Sequence, residues 1–335
     1  MAGMILAGDV GGTKSNLALF QEDGPVLHPV FQRRFANKNY AQFEDLVADF
    51  RRQAGPSITG LRDHGVSAAG FAAAGALVDG RLHSGNLPWD LDLARLVRQL
   101  DVEPVVLLND LTATAYSLDK LSAKDLAIVN EGVPQRMATK AVIAAGTGLG
   151  EAILFWDGRQ HRIAPSEGGL ADFAARTNRE IQLLDYLKKR LPHVCNEEIL
   201  SGRGFRRIHE FLNPGVKHPS FEDPDADAAN DITRKALAQL CPVCVETLDL
   251  WTEAYGAEAG NLALRTLALG GVYVGGGIAP KILPKIEDGT FFRSFCEKTE
   301  LAPVLARIPV YVILNEDAPM LGVAYQAYAV GHSKP

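Results

Sequence analysis

Cysteine is scarce in this chain, with four residues among 335, at positions 195, 241, 244 and 296. Four scattered thiols do not make the framework that staples a disulfide-dependent secreted domain. Cys241-Pro242-Val243-Cys244 has the spacing of a redox or metal pair. It lies in an apolar stretch of helical periodicity, not after a strand, so its thiols read as buried structural residues. Runs of one charge are missing too. Arg33-Arg34, Arg51-Arg52 and Lys188-Lys189-Arg190 are short, and the net charge is −6, so no nucleic-acid partner is expected. No apolar stretch is long and unbroken enough to span a bilayer, and Met1 to Gly8 lacks the basic start of a signal peptide, so the expectation is a cytoplasmic protein without a membrane partner. What remains is 47% hydrophobic and 22% charged, ordinary globular proportions in a chain long enough for about two cores.

Two glycine-rich turns stand out. A strand-like Met4-Ile5-Leu6-Ala7 runs into Gly8-Asp9-Val10-Gly11-Gly12-Thr13-Lys14, and the layout returns at Ala145-Gly146-Thr147-Gly148-Leu149-Gly150. A dinucleotide fold needs a helix after its glycines. Here Ser15 to Phe20 is short, partly alternating and stopped by Glu22-Asp23-Gly24-Pro25, so it reads as a second strand. The lysine-bearing P-loop pattern is absent as well. Glycines let backbone N–H groups approach phosphate oxygens with no Cβ in the way, so two such turns suggest two cradles for one polyphosphate. Asp9 is ill placed beside phosphate unless a hydrated Mg²⁺ lies between, since that cation prefers oxygen ligands and keeps several waters. The plainer alternative is a hairpin turn with an incidental acid.

The order of segments repeats. In the first half, strands over Val26–Phe35, Val66–Ala73, Ala76–Val78 and Val105–Leu108 accompany a helix over Asn39–Arg52, capped by Asn39, and a short helix near Leu91–Leu100. Asp79-Gly80 marks a hairpin turn between strands. In the second half, strands at Ala141–Ala145, Ala152–Trp156 and His161–Ala164 precede helical segments at Arg179–Lys189, Gly204–Leu212 and Ile232 to about Ala268, then Val272-Tyr273-Val274 running into Gly275-Gly276-Gly277. Pro214–Asn230, rich in Pro, Asp and Ala, reads as a surface loop with solvated acids. Two halves of β-β-β-α type, each opening on a glycine turn, predict a duplicated α/β fold with a ligand between its lobes.

Together these segments resemble bacterial glucokinases, in the sugar-kinase branch of the actin, Hsp70 and hexokinase superfamily. Gly8 to Lys14 is similar to the first phosphate motif, Leu107 to Ala113 to the first connecting segment, and Ala145 to Gly150 to the second phosphate motif. Gly270 to Ile278 is similar to the adenosine motif, and Asp317 to Tyr328 to the second connecting helix. Local echoes are Ser166-Glu167-Gly168-Gly169, Glu197 to Gly202 and Asn86-Leu87-Pro88-Trp89. Regulator relatives with a DNA-binding helix-turn-helix are disfavoured, because no residues precede the first strand to build one.

The resemblance implies two ribonuclease-H-like domains with a ligand cleft between them: a small one over 1–110 plus 318–335 and a large one over 111–317. It implies ATP-dependent phosphorylation of a hexose at O6, glucose first, with ATP and Mg²⁺ as cofactors and a homodimer as the assembly. Asp110 is the candidate base for the sugar hydroxyl, Asn109 a ring ligand, and Glu167 and Glu197 acceptors for ring hydroxyls. An Asn-Asp pair at a strand end is otherwise a helix cap. Gly8, Asp9, Gly11, Gly12, Thr13 and Lys14, with Gly146, Thr147 and Gly148, are assigned to the phosphates. Thr147 should face the transferred one, Gly275, Gly276 and Gly277 the adenosine end, and Asp9 the metal through water. Lobe closure about a hinge near 109–112 and 317–322 is expected.

The likeness breaks at one residue. The family reads Glu-Gly-Gly-His, in which the histidine hydrogen-bonds a sugar hydroxyl, whereas this chain has Glu167-Gly168-Gly169-Leu170. An unmet buried hydroxyl costs about 1 to 3 kcal/mol, or about tenfold or more in affinity. A kinase for another hexose or an amino sugar, and a sugar- or nucleotide-binding sensor without turnover, therefore stand as alternatives. His161 and His193 are read as surface residues.

Overall fold

The computed structural model describes residues 3–55, 65–84, 87–215, 218, 221 and 227–333. Asn86 and most of the Pro214–Asn230 loop lie outside the described residues. The chain forms two compact units, 1–122 with 317–335, and 123–316.

In the first unit, strands β1 (Met4–Val10), β2 (Lys14–Asp23), β3 (Val26–Ala36), β4 (Ala68–Ala73) and β8 (Val105–Asn109) make a sheet in the order β3-β2-β1-β4-β8. β1 is antiparallel to β2 and parallel to β4, which is parallel to β8. Both faces are covered, which is why β1 is apolar almost throughout. Leu6 and Val10 pack with Phe43, Leu46 and Phe50 of α1 (Phe43–Ala54) and with Leu96 of α2 (Leu93–Leu100). Ile5 and Ala7 face Met320, Val323 and Ala327, from the chain's last helix, on the other side. A small sheet of β5 (Ala76–Val78), β6 (Arg81–His83) and β7 (Leu91–Asp92) completes the unit. Its first turn has positive φ at both Asp79 and Gly80, the twist a two-residue hairpin needs. α3 (Asp110–Ser117) follows β8 directly.

The second unit repeats the plan: β9 (Leu126–Asn130), β10 (Lys140–Ala145), β11 (Leu149–Trp156), β12 (His161–Ser166), β13 (Gly271–Gly275) and β14 (Val310–Ile313) lie in the order β12-β11-β10-β13-β14-β9. The first five reproduce both the sequence order and the directions of the other sheet, with β9 added antiparallel at the far edge. The helices are α4 (Asn178–Lys188), α5 (Gly202–Leu212), α6 (Ala228–Leu237), α7 (Pro242–Thr266), α8 (Leu283–Glu287), α9 (Thr290–Cys296) and α10 (Ala302–Leu305). α7 crosses the sheet with Trp251 and Tyr255 fully buried, and the Tyr255 hydroxyl donates to Ile143 O at 3.3 Å. The last helix, α11 (Ala318–His332), returns to the first unit, where Gly322 packs so close to Ala113 O of α3 that a Cβ would collide with it.

Two local expectations need correction. Asn39 does not cap α1. Residues Asn37–Asn39 form a 3-10 turn, closed by Tyr40 N donating to Asn37 O at 3.0 Å, and the helix begins after Gln42. The single helical stretch from Ile232 is two helices, because Pro242 cannot donate to the preceding turn and starts a new helix at its first position. Gln239, at φ +56, turns the chain there, and α6 begins earlier, at Ala228, capped by Asp227.

Candidate active site

The first glycine turn is held from behind. Gly11 N donates to Lys14 O at 3.0 Å, while Asn37, 2% exposed, donates from Nδ2 to Gly11 O at 2.7 Å and accepts from the Ser15 hydroxyl at 2.9 Å. Gly12, Thr13 and Lys14 are left exposed at the turn. Gly8 is buried in β1, where a Cβ would meet the tip of the Leu17 side chain, which would have to shift.

Asp9 belongs to a group of acids in the same unit. Burial first, then the Asp110 and Asp317 carboxylates, push its carboxyl up to about 7, against the pull of Arg34. Asp317 accepts from Asn16 Nδ2 at 2.8 Å and from Gln32 Nε2 at 3.1 Å. Asp110 opens α3 and accepts from Leu111 N at 2.8 Å. Burial pushes its carboxyl above the usual carboxylate range although that N–H opposes the shift. Asn109 caps α3, its Oδ1 accepting from Leu111 N and Thr112 N, and gives one Nδ2 proton to Gly75 O at 2.9 Å. Its second amide proton remains for another acceptor. Carboxylate oxygens of this kind are the donors a hard cation prefers.

In the second unit, Gly146 N donates to Gly148 O at 2.8 Å, and Gly202 N, at the start of α5, donates to Gly146 O at 2.9 Å. Thr147 is exposed at the tip. Glu197 Oε2 accepts from Leu149 N at 3.0 Å, and a Cβ at Gly148 would push that carboxylate out of its place. Glu198 pairs with Arg207 and lies 3.6 Å from Arg203. Arg203 pairs with Glu197. Glu167 is exposed and precedes a 3-10 turn over Gly168–Leu170, with Leu170 52% exposed. His193 pairs with Asp172 at 2.6 Å, and His161 bonds Ala138 O at 3.0 Å.

Gly276 follows β13 at φ +83 against Ala145 O, a place where a Cβ would collide, while Gly277 opens to solvent. A cavity of about 510 Å³ lies here, lined by Gly146, Thr147, Gly202, Phe205, Asp227, Ala229, Asn230, Thr233, Gly277, Ile278, Lys281 and Ile282. That volume suits a nucleoside-sized ligand, with an aromatic ring, amide and hydroxyl groups and an exposed lysine around it.

The glucokinase family model matches residues 6–330. The chain belongs to the glucokinase family. The glucokinase of Nostoc punctiforme is 37% identical over 340 residues, covering 96% of this chain and 98% of that protein. Among solved structures, a glucokinase from an Antarctic psychrotroph is 25% identical with a TM-score of 0.84, covering 97% of this chain and 99% of that one. A glucokinase from Balamuthia mandrillaris, in complex with glucose, is 22% identical with a TM-score of 0.76, covering 98% and 94%, and bears out the fold. The expected two-fold repeat of actin-like α/β units is the architecture found.

Within this glucokinase-family chain, the first unit brings together Asp9 and Asp110, and the second brings together Gly146–Gly148, Glu197 and Gly277. Sequence reasoning missed Asn37, Asp317 and the cavity residues Phe205, Asn230, Thr233 and Lys281. Asp317 carried a signal, as the acid that opens the last helix. Among the described residues, no helix is long and apolar enough to cross a membrane.

Proposed function

We propose that this chain transfers the γ-phosphoryl group of ATP to the 6-hydroxyl of glucose, with Asp110 as the general base. The observation that carries this is the Asp110 carboxyl, set at a strand end and made more basic than an ordinary carboxylate by its burial. The O6 lone pair forms the new bond to phosphorus as the bond to the β–γ bridging oxygen breaks, and the hydroxyl proton passes to Asp110.

Phosphoryl transfer asks the protein mainly for positioning and charge. The exposed backbone of Gly11, Gly12 and Thr13 offers N–H donors, with Lys14 adding charge, and the turn at Gly146–Gly148 offers Thr147 besides. The cavity beside Gly277 takes the adenosine end. Asp9, with Asp317, would hold Mg²⁺ through its waters, and that ion supplies positive charge to the phosphate oxygens. Glu197, whose second oxygen anchors Leu149 N, ties a ring-hydroxyl acceptor to the phosphate turn, with Glu167 as the other acceptor.

Leu170 keeps a second reading in view, a kinase for another hexose or an amino sugar, because it offers no hydrogen bond where the family has histidine. An ADP-release assay over glucose, mannose, fructose and glucosamine decides between them. The proposal expects glucose to give the highest kcat/KM and a 6-phosphate product. Turnover led by another sugar refutes the substrate, and sugar binding without ADP release refutes the reaction.

A further inference from the structure

The thiol pair of the Cys241-Pro242-Val243-Cys244 segment does not stand alone. Cys241 caps α7 and Cys244 lies buried in its first turn. One imidazole nitrogen of His209, from α5, and the two Sγ atoms all lie within 4.8 Å of one another, the closest gathering of metal-ligating groups among the described residues. His209 is 2% exposed, and its Nδ1 is buried with no hydrogen-bond partner among the described residues. A second imidazole stands beside it: His218 is 5% exposed, its ring meets His209 edge-on at 5.0 Å, and its Nε2 is 3.8 Å from Cys244 Sγ.

Two thiolates and two imidazoles are the donor set of tetrahedral structural zinc. With Zn–S of about 2.3 Å and Zn–N of about 2.0 Å, the tetrahedron's edges are about 3.8 Å between sulfurs and about 3.6 Å between sulfur and nitrogen. The separation of His218 from Cys244 already matches, the atoms of His209, Cys241 and Cys244 need to close by at most about 1.2 Å, and the His218 ring has to turn in toward the other two as the fourth ligand. An outer partner is in place as well, since Asp231 Oδ2 faces His218 Nδ1 at 3.7 Å, and a carboxylate behind a ligating imidazole orients it. Lys235 Nζ now sits 3.3 Å from His218 Nε2 and 2.9 Å from Asp231. Zinc displaces the ammonium from the imidazole and leaves it with Asp231.

We propose that His209, His218, Cys241 and Cys244 form a zinc site that clamps α5 to the junction of α6 and α7. Its place gives it a purpose. The same two helices present Gly202, Phe205, Asn230 and Thr233 to the 510 Å³ cavity, so fixing their far ends braces the cavity wall. None of its four ligands is assigned to phosphoryl transfer, and its metal content can be read whatever the activity proves to be.

The test uses the full chain in reducing buffer, incubated with Zn²⁺ alone, desalted and assayed for metal by mass spectrometry, with Co²⁺ as a spectroscopic substitute. The proposal expects stoichiometric zinc, tetrahedral cobalt bands with a thiolate charge-transfer band, and loss of both in Cys241→Ser and in His209→Asn. Each variant should lose more affinity than the roughly 10- to 100-fold that removal of an outer partner costs. Far-UV circular dichroism checks that each variant is folded. A wild-type chain that stays metal-free, cobalt bands unchanged by Cys241→Ser, or a Cys241–Cys244 disulfide that forms in preference to zinc binding overturns the proposal.

Discussion

Replacing Asp9 with asparagine should make the protein more stable and less active. The Asp9 carboxyl is raised from 3.8 to about 7 by burial and by Asp110 and Asp317. At about 1.36 kcal/mol per unit this is about 4 kcal/mol, and roughly half of that once water's screening of a partly exposed group is allowed for. A raised carboxyl favours the folded state at low pH. That contribution is complete below about 3.8, drains away as pH rises, and is gone above about 7. The asparagine amide does not titrate, so the gap between variant and wild type should open between those values and then stay level, at about 3 °C in melting temperature for a chain of this length. The assay is thermal unfolding followed by circular dichroism at pH 4.5 and pH 8, without nucleotide. In the same experiment Mg²⁺-ATP should raise the melting temperature of the wild type and do so much less for Asp9→Asn. An equal gap at both pH values would refute the electrostatic reasoning, and an equal response to Mg²⁺-ATP would refute the metal role.

Asn37→Ala orphans the Gly11 carbonyl and the Ser15 hydroxyl, so it should cost about 2–3 kcal/mol by chemical denaturation and raise the KM for ATP; an unchanged KM means the turn holds its shape unaided. Leu170→His restores the hydrogen-bonding group that the family carries and should lower the glucose KM about tenfold, whereas no change places position 170 away from the sugar. Glu151, 2% exposed, is pushed upward by burial and then by Glu258, so the protein should lose stability as pH rises through that raised value. Glu151→Gln should flatten the fall between about pH 4.5 and pH 7, and an unaltered slope in denaturation midpoints over that range contradicts it.

What was legible in the sequence was local. Short apolar runs bounded by turn residues gave the strands, and Asp79-Gly80 its hairpin, because turn chemistry is written in adjacent residues. The repeat of glycine turn and strands gave the duplicated sheet. The break before Pro242 was hidden because apolar periodicity continues across it, and only the proline marks the new start. Asn37 and Asp317 were missed for a different reason. Their partners are 26 residues away at Gly11 and 301 residues away at Asn16, and no local pattern records such contacts. Glu197 and Glu198 look equivalent in sequence, and both face arginines, so only the Leu149 N–H of the phosphate turn, which Glu197 accepts, tells them apart.

The steady-state rate of Asp110→Asn with saturating glucose and ATP tests the central claim most directly. The substitution keeps an oxygen that can accept from Leu111 N but cannot take a proton from the sugar. The predicted result is a fall in kcat of about 10² to 10⁴ with little change in the KM for glucose. A variant turning over within about tenfold of the wild type would contradict the assignment of Asp110 as the base.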